Sequence, residues 1–293
     1  MSDLATVIMA AGKGTRMKSD IPKVLHPVCG EPMVFHVIRA AMEIGSSRII
    51  LVVGHEREMV KDKVLSLFPE VEFVVQEPQL GTGHAVQQAE SLIGEGKFVG
   101  KVLVLSGDVP LVKSENLKKM VEAHDEFTNV CSRPLGATML TTNAVDPSGY
   151  GRVMIGDRGE VIGIIEEKDI NLDSIRKIKE VNCGIYLFES GPLFEALKQV
   201  DNNNKQNEYY LPRALEIMNE SMNLDVRSYN TRSMEDVHGV NTLEQLAEVE
   251  AIMKRRLLGS TRLCNGCKLD ECNSNSFMFC EKCFSDVKKD TYY

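Results

Sequence analysis

The sequence predicts an α/β fold, a mostly parallel mixed sheet flanked by helices. Two observations carry that prediction. Up to about residue 135, short apolar runs alternate with amphipathic stretches, the pattern of strands joined by crossover helices. Several of those runs, Arg48 to Gly54 above all, show no polar alternation, as expected of parallel strands covered on both faces.

Taken in order, "ATVIMAA" reads as a buried strand and "GKGTR" as the loop after it. Met33 to Gly45 has helical spacing and a glycine stop. Arg48–Gly54 is the next strand, "EREMVKDKVLSLF" an amphipathic helix, "VEFVVQ" a strand, "GHAVQQAESLI" a helix and "KVLVLSGD" a strand. "SENLKKMVEAHDEF" continues as a helix with Ser114 as its expected cap. Beyond residue 135, "GATMLTT", "GRVMI", "VIGIIEE" and "EVNCGIYLF" are short β-like runs. Gln199 to Asn207 is a polar surface loop, and "NTLEQLAEVEAIMKRRLL" is a long helix.

Bulk properties narrow the function classes. A chain of 293 residues can bury a sizeable core. The formal net charge of −8 argues against a nucleic-acid partner, so anionic substrates must be met by local cations. No apolar run reaches the length of a membrane span, and no secretory signal is visible, so a reducing cytoplasm is expected. Cys29, Cys131 and Cys183 are scattered, whereas Cys264, Cys267, Cys272, Cys280 and Cys283 crowd the C-terminus.

In such sheets ligands bind beyond the carboxyl ends of the strands, and three polar loops fall there. In "IMAAGKGTRM", Gly12 and Gly14 permit close backbone approach, and successive N–H groups can form an anion nest. The spacing is neither that of a P-loop nor of G-x-G-x-x-G. Arg16 offers a planar fork to phosphate oxygens, and Lys23, after Pro22, a second cation. Read without a ligand, the loop is a strand-to-helix turn with a solvated Arg and Lys. "QLGTGHA" brings Gly81, Thr82 and Gly83, whose backbone, with Gln76, could read the edge of a base; the plain alternative makes Thr82 a helix cap. Asp108 ends an apolar strand, where a carboxylate is costly unless solvated or holding a cation; Mg²⁺ with phosphate fits, and a turn cap is the plain alternative. Glu166 heads the charge run "EEKD" directly after "VIGII", and Asn182 enters an apolar strand where its amide needs partners, sugar hydroxyls among them. His36 and His124 read as structural.

These stretches, in order "AAGKGTRM", "PKVLHPV", "QLGTGHA", "GDVPL", "GYGR", "EEKD", "EVNCGIY", "NEYYLP" and "GVN", resemble the bacterial N-acetylglucosamine-1-phosphate uridylyltransferases over roughly residues 4–257. The first motif is shared with other nucleotidyltransferases; "QLGTGHA" with "EYYL" and "GVN" is more specific. The resemblance implies a Rossmann-like nucleotide-diphospho-sugar transferase fold in residues 1–258, followed by a Cys-rich tail at 259–293. It implies Mg²⁺-dependent transfer of UMP from UTP to N-acetylglucosamine 1-phosphate with release of pyrophosphate. Ala10, Ala11, Gly12 and Gly14 would hold the triphosphate and Arg16 and Lys23 neutralise it. Gln76, Gly81 and Thr82 would read uracil, Asp108 and Asn241 hold Mg²⁺, and Gly151, Glu166 and Asn182 contact the amino sugar. The hexapeptide repeats of the family's acetyltransferase β-helix are absent from this sequence, Cys183 stands where the family more often has a small hydroxyl or Ala, and Asn207 stands where Gly often precedes "EYYL".

The tail carries C-x₂-C-x₁₂-C-x₂-C, which can supply four thiolates to zinc from Cys264, Cys267, Cys280 and Cys283, with Cys272 spare or substituting. An iron–sulfur cluster or free thiols are the alternatives. A protein partner or a homo-oligomer through the tail is a further expectation. Two other functions compete: the same transfer to another sugar 1-phosphate such as glucose 1-phosphate, and a non-catalytic sugar-nucleotide sensor.

Overall fold

A computed structural model describes residues 3–260 of the chain. The chain divides into two compact units, Met1–Glu250 and Ala251–Tyr293, and only residues 251–260 of the second are described. The tail cysteines Cys264, Cys267, Cys272, Cys280 and Cys283 therefore lie outside the described residues.

The first unit opens with β1 (Asp3–Met9). A small hairpin, β2 (Pro27–Val28) and β3 (Glu31–Pro32), leads into α1 (Met33–Glu43). There follow β4 (Arg48–Val53), α2 (Arg57–Leu65), β5 (Glu72–Val75), α3 (Thr82–Gln87), α4 (Glu90–Ile93), β6 (Gly100–Ser106) and α5 (Ser114–Val130). The second half adds β7 (Leu135–Asn143), β8 (Arg152–Ile155), β9 (Val161–Ile165), α6 (Asp173–Arg176) and β10 (Glu180–Glu189). It closes with α7 (Ser190–Leu197), α8 (Leu211–Glu220), β11 (Asp225–Asn230) and α9 (Leu243–Ser260).

Among the described residues one large sheet runs β11-β7-β10-β6-β1-β4-β5, with β8 and β9 attached through β10. β5, β4, β1 and β6 pair in parallel, as β11 does with β7. β10 is antiparallel to both of its neighbours, matching Tyr186 to Val104 and Glu189 to Lys101. Its first residues therefore lie toward the end of β6 that leads to Asp108.

Side chains alternate across each strand, so both faces must be covered. Val7, Val52, Val104 and Phe188 pack on the layer of α3, α7 and α8; Ile8, Leu51, Leu105 and Leu187 pack on that of α1, α2 and α5. Burial on both faces explains the unbroken apolar run of β4. Among the described residues no helix is long and apolar enough to cross a membrane.

Three local expectations change. The helix expected from Gly83 to Ile93 breaks into α3 and α4, because Gln88 N and Ala89 N bond three residues back, to Ala85 O and Val86 O, and tighten the turn. Ser114 is the first helical residue of α5, not its cap, and Lys113 takes the capping position without a side-chain bond. The segment between β10 and α9 also contains α7, α8 and β11, which the sequence reading left unassigned.

Candidate active site

Parallel pairing sends the carboxyl ends of β1, β4, β5 and β6 to one rim of the sheet, and those of β1, β5 and β6 are followed there by expected ligand residues. Ala10 N donates to Val52 O at 2.9 Å, and His55 N to Ala11 O at 3.4 Å, so the loop after β1 leaves the sheet held by the end of β4. Ala10 and Ala11 are buried, and Gly12 is exposed with open space around its α-carbon. Gly14 has φ 61°, and a Cβ there would meet the Lys23 Cβ at 2.6 Å, so only glycine brings the loop this close to the lysine turn. Met17, 1% exposed, pins the short 3₁₀ turn that presents Arg16.

The charged centre is compact. Lys23 Nζ pairs with Asp108 Oδ2 and lies 3.3 Å from Asn241 Oδ1. Arg16 Nη2 donates to the same Asn241 oxygen at 2.9 Å. Asp108 Oδ1 accepts from Ser106 Oγ at 2.6 Å. Backbone bonds fix both oxygen donors: Val240 N donates to Asp108 O at 2.9 Å, and Asn241 N to Gln245 Oε1 at 2.8 Å. Arg16, Lys23, Asp108 and Asn241 thus converge from four separate stretches of chain. An ammonium already sits on the Asp108 carboxylate and the Asn241 amide oxygen, so the pair forms a locus for a hard cation, with phosphate oxygens to complete its shell. Among the described residues no group of three or more His, Cys, Asp or Glu side chains has metal-binding geometry.

Gln76 is buried at the end of β5, and its N–H₂ donates to Gly81 O at 2.9 Å and to His84 Nδ1 at 3.2 Å. Burial pushes the His84 imidazole below its ordinary range, in favour of the neutral ring, and the Gln76 N–H₂ group facing Nδ1 makes that nitrogen the acceptor. Thr82 does not cap α3; its Oγ1 accepts from Leu211 N at 2.9 Å. With Gly83 N to Tyr209 O at 2.7 Å and Tyr209 N to Leu80 O at 2.8 Å, the "EYYL" stretch clasps the "LGTG" loop. Gly81, at φ 115°, leaves no room for a Cβ, which would fall 2.7 Å from Tyr209 O. Beside this loop a cavity of about 520 Å³ is lined by Lys13, Gly54, His55, Arg57, Gln76 and Gln79. Lys13 and Gln79 lie inside the quoted "AAGKGTRM" and "QLGTGHA" stretches but carried no role of their own in the sequence reading, and no motif marks His55.

The residues expected to face a sugar also meet. Asn182 N donates to Gly151 O at 2.9 Å, and a Cβ on Gly151 would lie 3.1 Å from Glu166 Oε1. Asn182 finds partners within the protein: its N–H₂ donates to Tyr186 Oη at 2.7 Å and its carbonyl accepts from Gly184 N at 3.0 Å, across the bulge in β10. Burial pushes the Glu166 carboxyl above its ordinary range; Asp169 adds to that and Asn182 opposes it. A cavity of about 360 Å³ opens here, lined by Glu166, Asp169, Asn204, Tyr210, Arg213 and Glu216. Cys183 is buried with its thiol pushed up by that burial, a packing residue. Asn207 adopts φ 54°, the left-handed conformation that glycine takes most readily and asparagine tolerates.

Comparison with known proteins extends this picture. The family model for Nucleotidyl transferase matches residues 5–248. The chain is 44% identical over 257 residues to the bifunctional protein GlmU of Shouchella clausii, covering 88% of this chain and 54% of the relative. It is 45% identical over 251 residues to the bifunctional protein GlmU of Streptococcus mutans, covering 86% and 52%. The chain thus spans about half the length of the curated relatives it matches. Among solved structures, a UDP-glucose pyrophosphorylase complexed with UDP-glucose superposes with TM-score 0.66 at 19% identity, covering 87% of this chain and 100% of that one. HddC from Yersinia pseudotuberculosis gives 0.61 at 19%, covering 86% and 100%. Both share the fold.

Proposed function

The chain belongs to the nucleotidyl transferase family, and from that premise we propose that it transfers UMP from UTP to N-acetyl-α-D-glucosamine 1-phosphate. The observation that carries the proposal is the meeting of Arg16 and Lys23 on Asn241 Oδ1, with Lys23 also on Asp108, at the rim where the glycine loop ends. Two cations beside an exposed glycine loop suit a triphosphate, and the Gly151–Glu166–Asn182 cluster suits an acceptor with hydroxyl and amide groups.

In the proposed reaction an oxygen of the sugar phosphate attacks the α-phosphorus in line. The new P–O bond forms as the bond to the β-phosphate oxygen breaks, and pyrophosphate leaves with the electron pair. The nucleophile is already anionic, so no general base is required. The chain's contribution is positioning and charge neutralisation. Backbone N–H groups of Ala11–Gly14 cradle phosphate oxygens, and Arg16 and Lys23 turn from Asn241 and Asp108 to the triphosphate. Asp108 and Asn241 would hold Mg²⁺, which when bound screens charge on phosphate oxygens. Gln76 and the Gly81–Thr82 backbone read uracil, and Gly151, Glu166 and Asn182 contact the amino sugar.

The test is pyrophosphate release from UTP with N-acetylglucosamine 1-phosphate, with Mg²⁺ present or chelated, for wild type and Asp108→Ala. Mg²⁺-dependent release abolished by the substitution supports the reading. Release with glucose 1-phosphate alone moves the acceptor, and UTP binding without any release points to a sensor. For the tail, we propose that residues 259–293 form a separate segment in which Cys264, Cys267, Cys280 and Cys283 hold zinc. Metal analysis of purified wild type and of Cys267→Ser/Cys280→Ser checks this, and metal-free wild type overturns it.

A further inference from the structure

One buried arginine is bonded beside every residue of the proposed acceptor site without belonging to it. Arg152 begins β8 and is 2% exposed. Its backbone pairs with Ile165 on one side and Val181 on the other. Each partner immediately precedes a residue assigned to the acceptor, Glu166 and Asn182, and Arg152 itself follows the third, Gly151. Its side chain then reaches past Glu166: Nη1 lies 2.8 Å from Glu167 Oε2 and donates to Tyr150 O. Arg176 Nη1, 3.7 Å from Glu167 Oε1, holds the other carboxylate oxygen from α6. Its backbone therefore ties β8 to the start of β10 and the end of β9, and its side chain ties the loop carrying Gly151 to the turn after Glu166.

Stability does not account for this arrangement. Among the described residues Arg152 Nε is buried without a hydrogen-bond partner, and Glu167 Oε2 meets the guanidinium as a charge contact rather than an aligned hydrogen bond. An incompletely satisfied ion pair with one buried and one half-buried partner gives on average no more stability than apolar residues packed in its place. What it does give is a fixed distance and direction between the loop before β8, which carries Gly151, and the turn after β9, which carries Glu166, beside the Val181 backbone pairing that places Asn182.

We propose that the Arg152–Glu167 pair is a positioning strut for acceptor recognition: it sets the Gly151–Glu166–Asn182 geometry and thereby the affinity for the sugar moiety, leaving the nucleotide loops untouched. This rests on the proposed function. Alignment of hydrogen-bonding groups to within a fraction of an ångström decides such affinities, so loosening the strut removes the sugar's contribution.

The test is calorimetric binding of UDP-N-acetylglucosamine and of UDP to wild type, Arg152→Lys, Arg152→Met, Glu167→Gln and Arg152→Met/Glu167→Met, with melting temperatures alongside. Wild type is expected to bind the sugar nucleotide more tightly than UDP. Arg152→Met and the double variant are expected to lose roughly tenfold of that preference, with UDP affinity within about twofold of wild type, and Arg152→Lys to recover part of it. If Arg152→Met fails to fold, Glu167→Gln, at a half-buried site, reads the same contact. A double variant that keeps the wild-type preference overturns the strut, as does a parallel loss of UDP affinity. A wild type with no preference for UDP-N-acetylglucosamine or UDP-glucose over UDP overturns the acceptor reading itself, and the strut with it.

Discussion

Replacing Lys23 with Met removes an ammonium while keeping most of its alkyl volume. The Lys23 and Asp108 side chains are 15% and 14% exposed, so the pair is largely withdrawn from water. Deleting one partner of a buried pair costs about 3–5 kcal/mol, because the remaining charge is uncompensated. Asp108 keeps its bond from Ser106 Oγ, which places the cost near the lower end, about 3 kcal/mol. For a domain of this size that is a fall of roughly 6–12 °C in melting temperature. The vacated Asp108 Oδ2 then faces a divalent cation with only the Arg16 bond to Asn241 Oδ1 left to compete. Mg²⁺ at a hundred times its dissociation constant returns about 2.7 kcal/mol, most of what was lost. In wild type the metal must first displace Lys23, so without nucleotide its effect on melting is expected to be far smaller. Differential scanning calorimetry of both proteins, with Mg²⁺ and with chelator and no UTP, measures this. A Lys23→Met protein that Mg²⁺ does not stabilise, or a wild type stabilised equally, refutes the view that lysine and metal share one locus.

Three further outcomes are expected. The raised carboxyl of Glu166 means that the folded protein holds that proton more tightly than the unfolded chain, so stability falls as pH rises from the ordinary value of 4.5 and the loss is complete above the folded value; Glu166→Gln should melt higher than wild type at neutral pH and lose the difference near pH 4, and equal melting curves at both pH values would count against the burial argument. Gly81→Ala places a Cβ 2.7 Å from Tyr209 O at φ 115° and should cost about 3 kcal/mol in chemical denaturation while weakening UTP binding. Asn207→Ala should cost about 1 kcal/mol in the same assay, whereas Asn207→Gly should stay close to wild type, since only alanine resists the left-handed backbone there.

The parts of this molecule that could be read from sequence are those where local chemistry and fold agree. β1 and β4 are unbroken apolar runs because both faces are buried, and Gly14 marks a turn because its φ and the approach of Lys23 leave no alternative. Candidate residues Gln76 and Asp108 could likewise be placed one at a time, each just past the end of a strand. The pairings within the site could not: Lys23 meets Asn241 across 218 positions, a closure decided by the sheet and by the Val240–Asp108 backbone bond. Thr82 read as a cap because its own helix was in view and Leu211 was not. α8 was missed although Leu211, Ala214, Leu215, Ile217 and Met218 are spaced for one buried face, because that stripe is short and follows a polar loop. Arg152 stood inside the quoted "GYGR" stretch but drew no role of its own, since the pairing that suggests one, with Glu167, shows only once β8 and β9 are side by side.

The reversed direction of β10 has a consequence for inheritance. On the proposed reading donor recognition is written in the chain up to Asp108, apart from Asn241, and acceptor recognition between Gly151 and Asn182; a strand running backwards between β6 and β7 is what would let the two scripts meet on one rim. On that reading residues 144–184, with the cavity wall of Asn204, Tyr210, Arg213 and Glu216, are the part of the chain whose divergence would rewrite which sugar is accepted while the grammar of the nucleotide half is left as it stands.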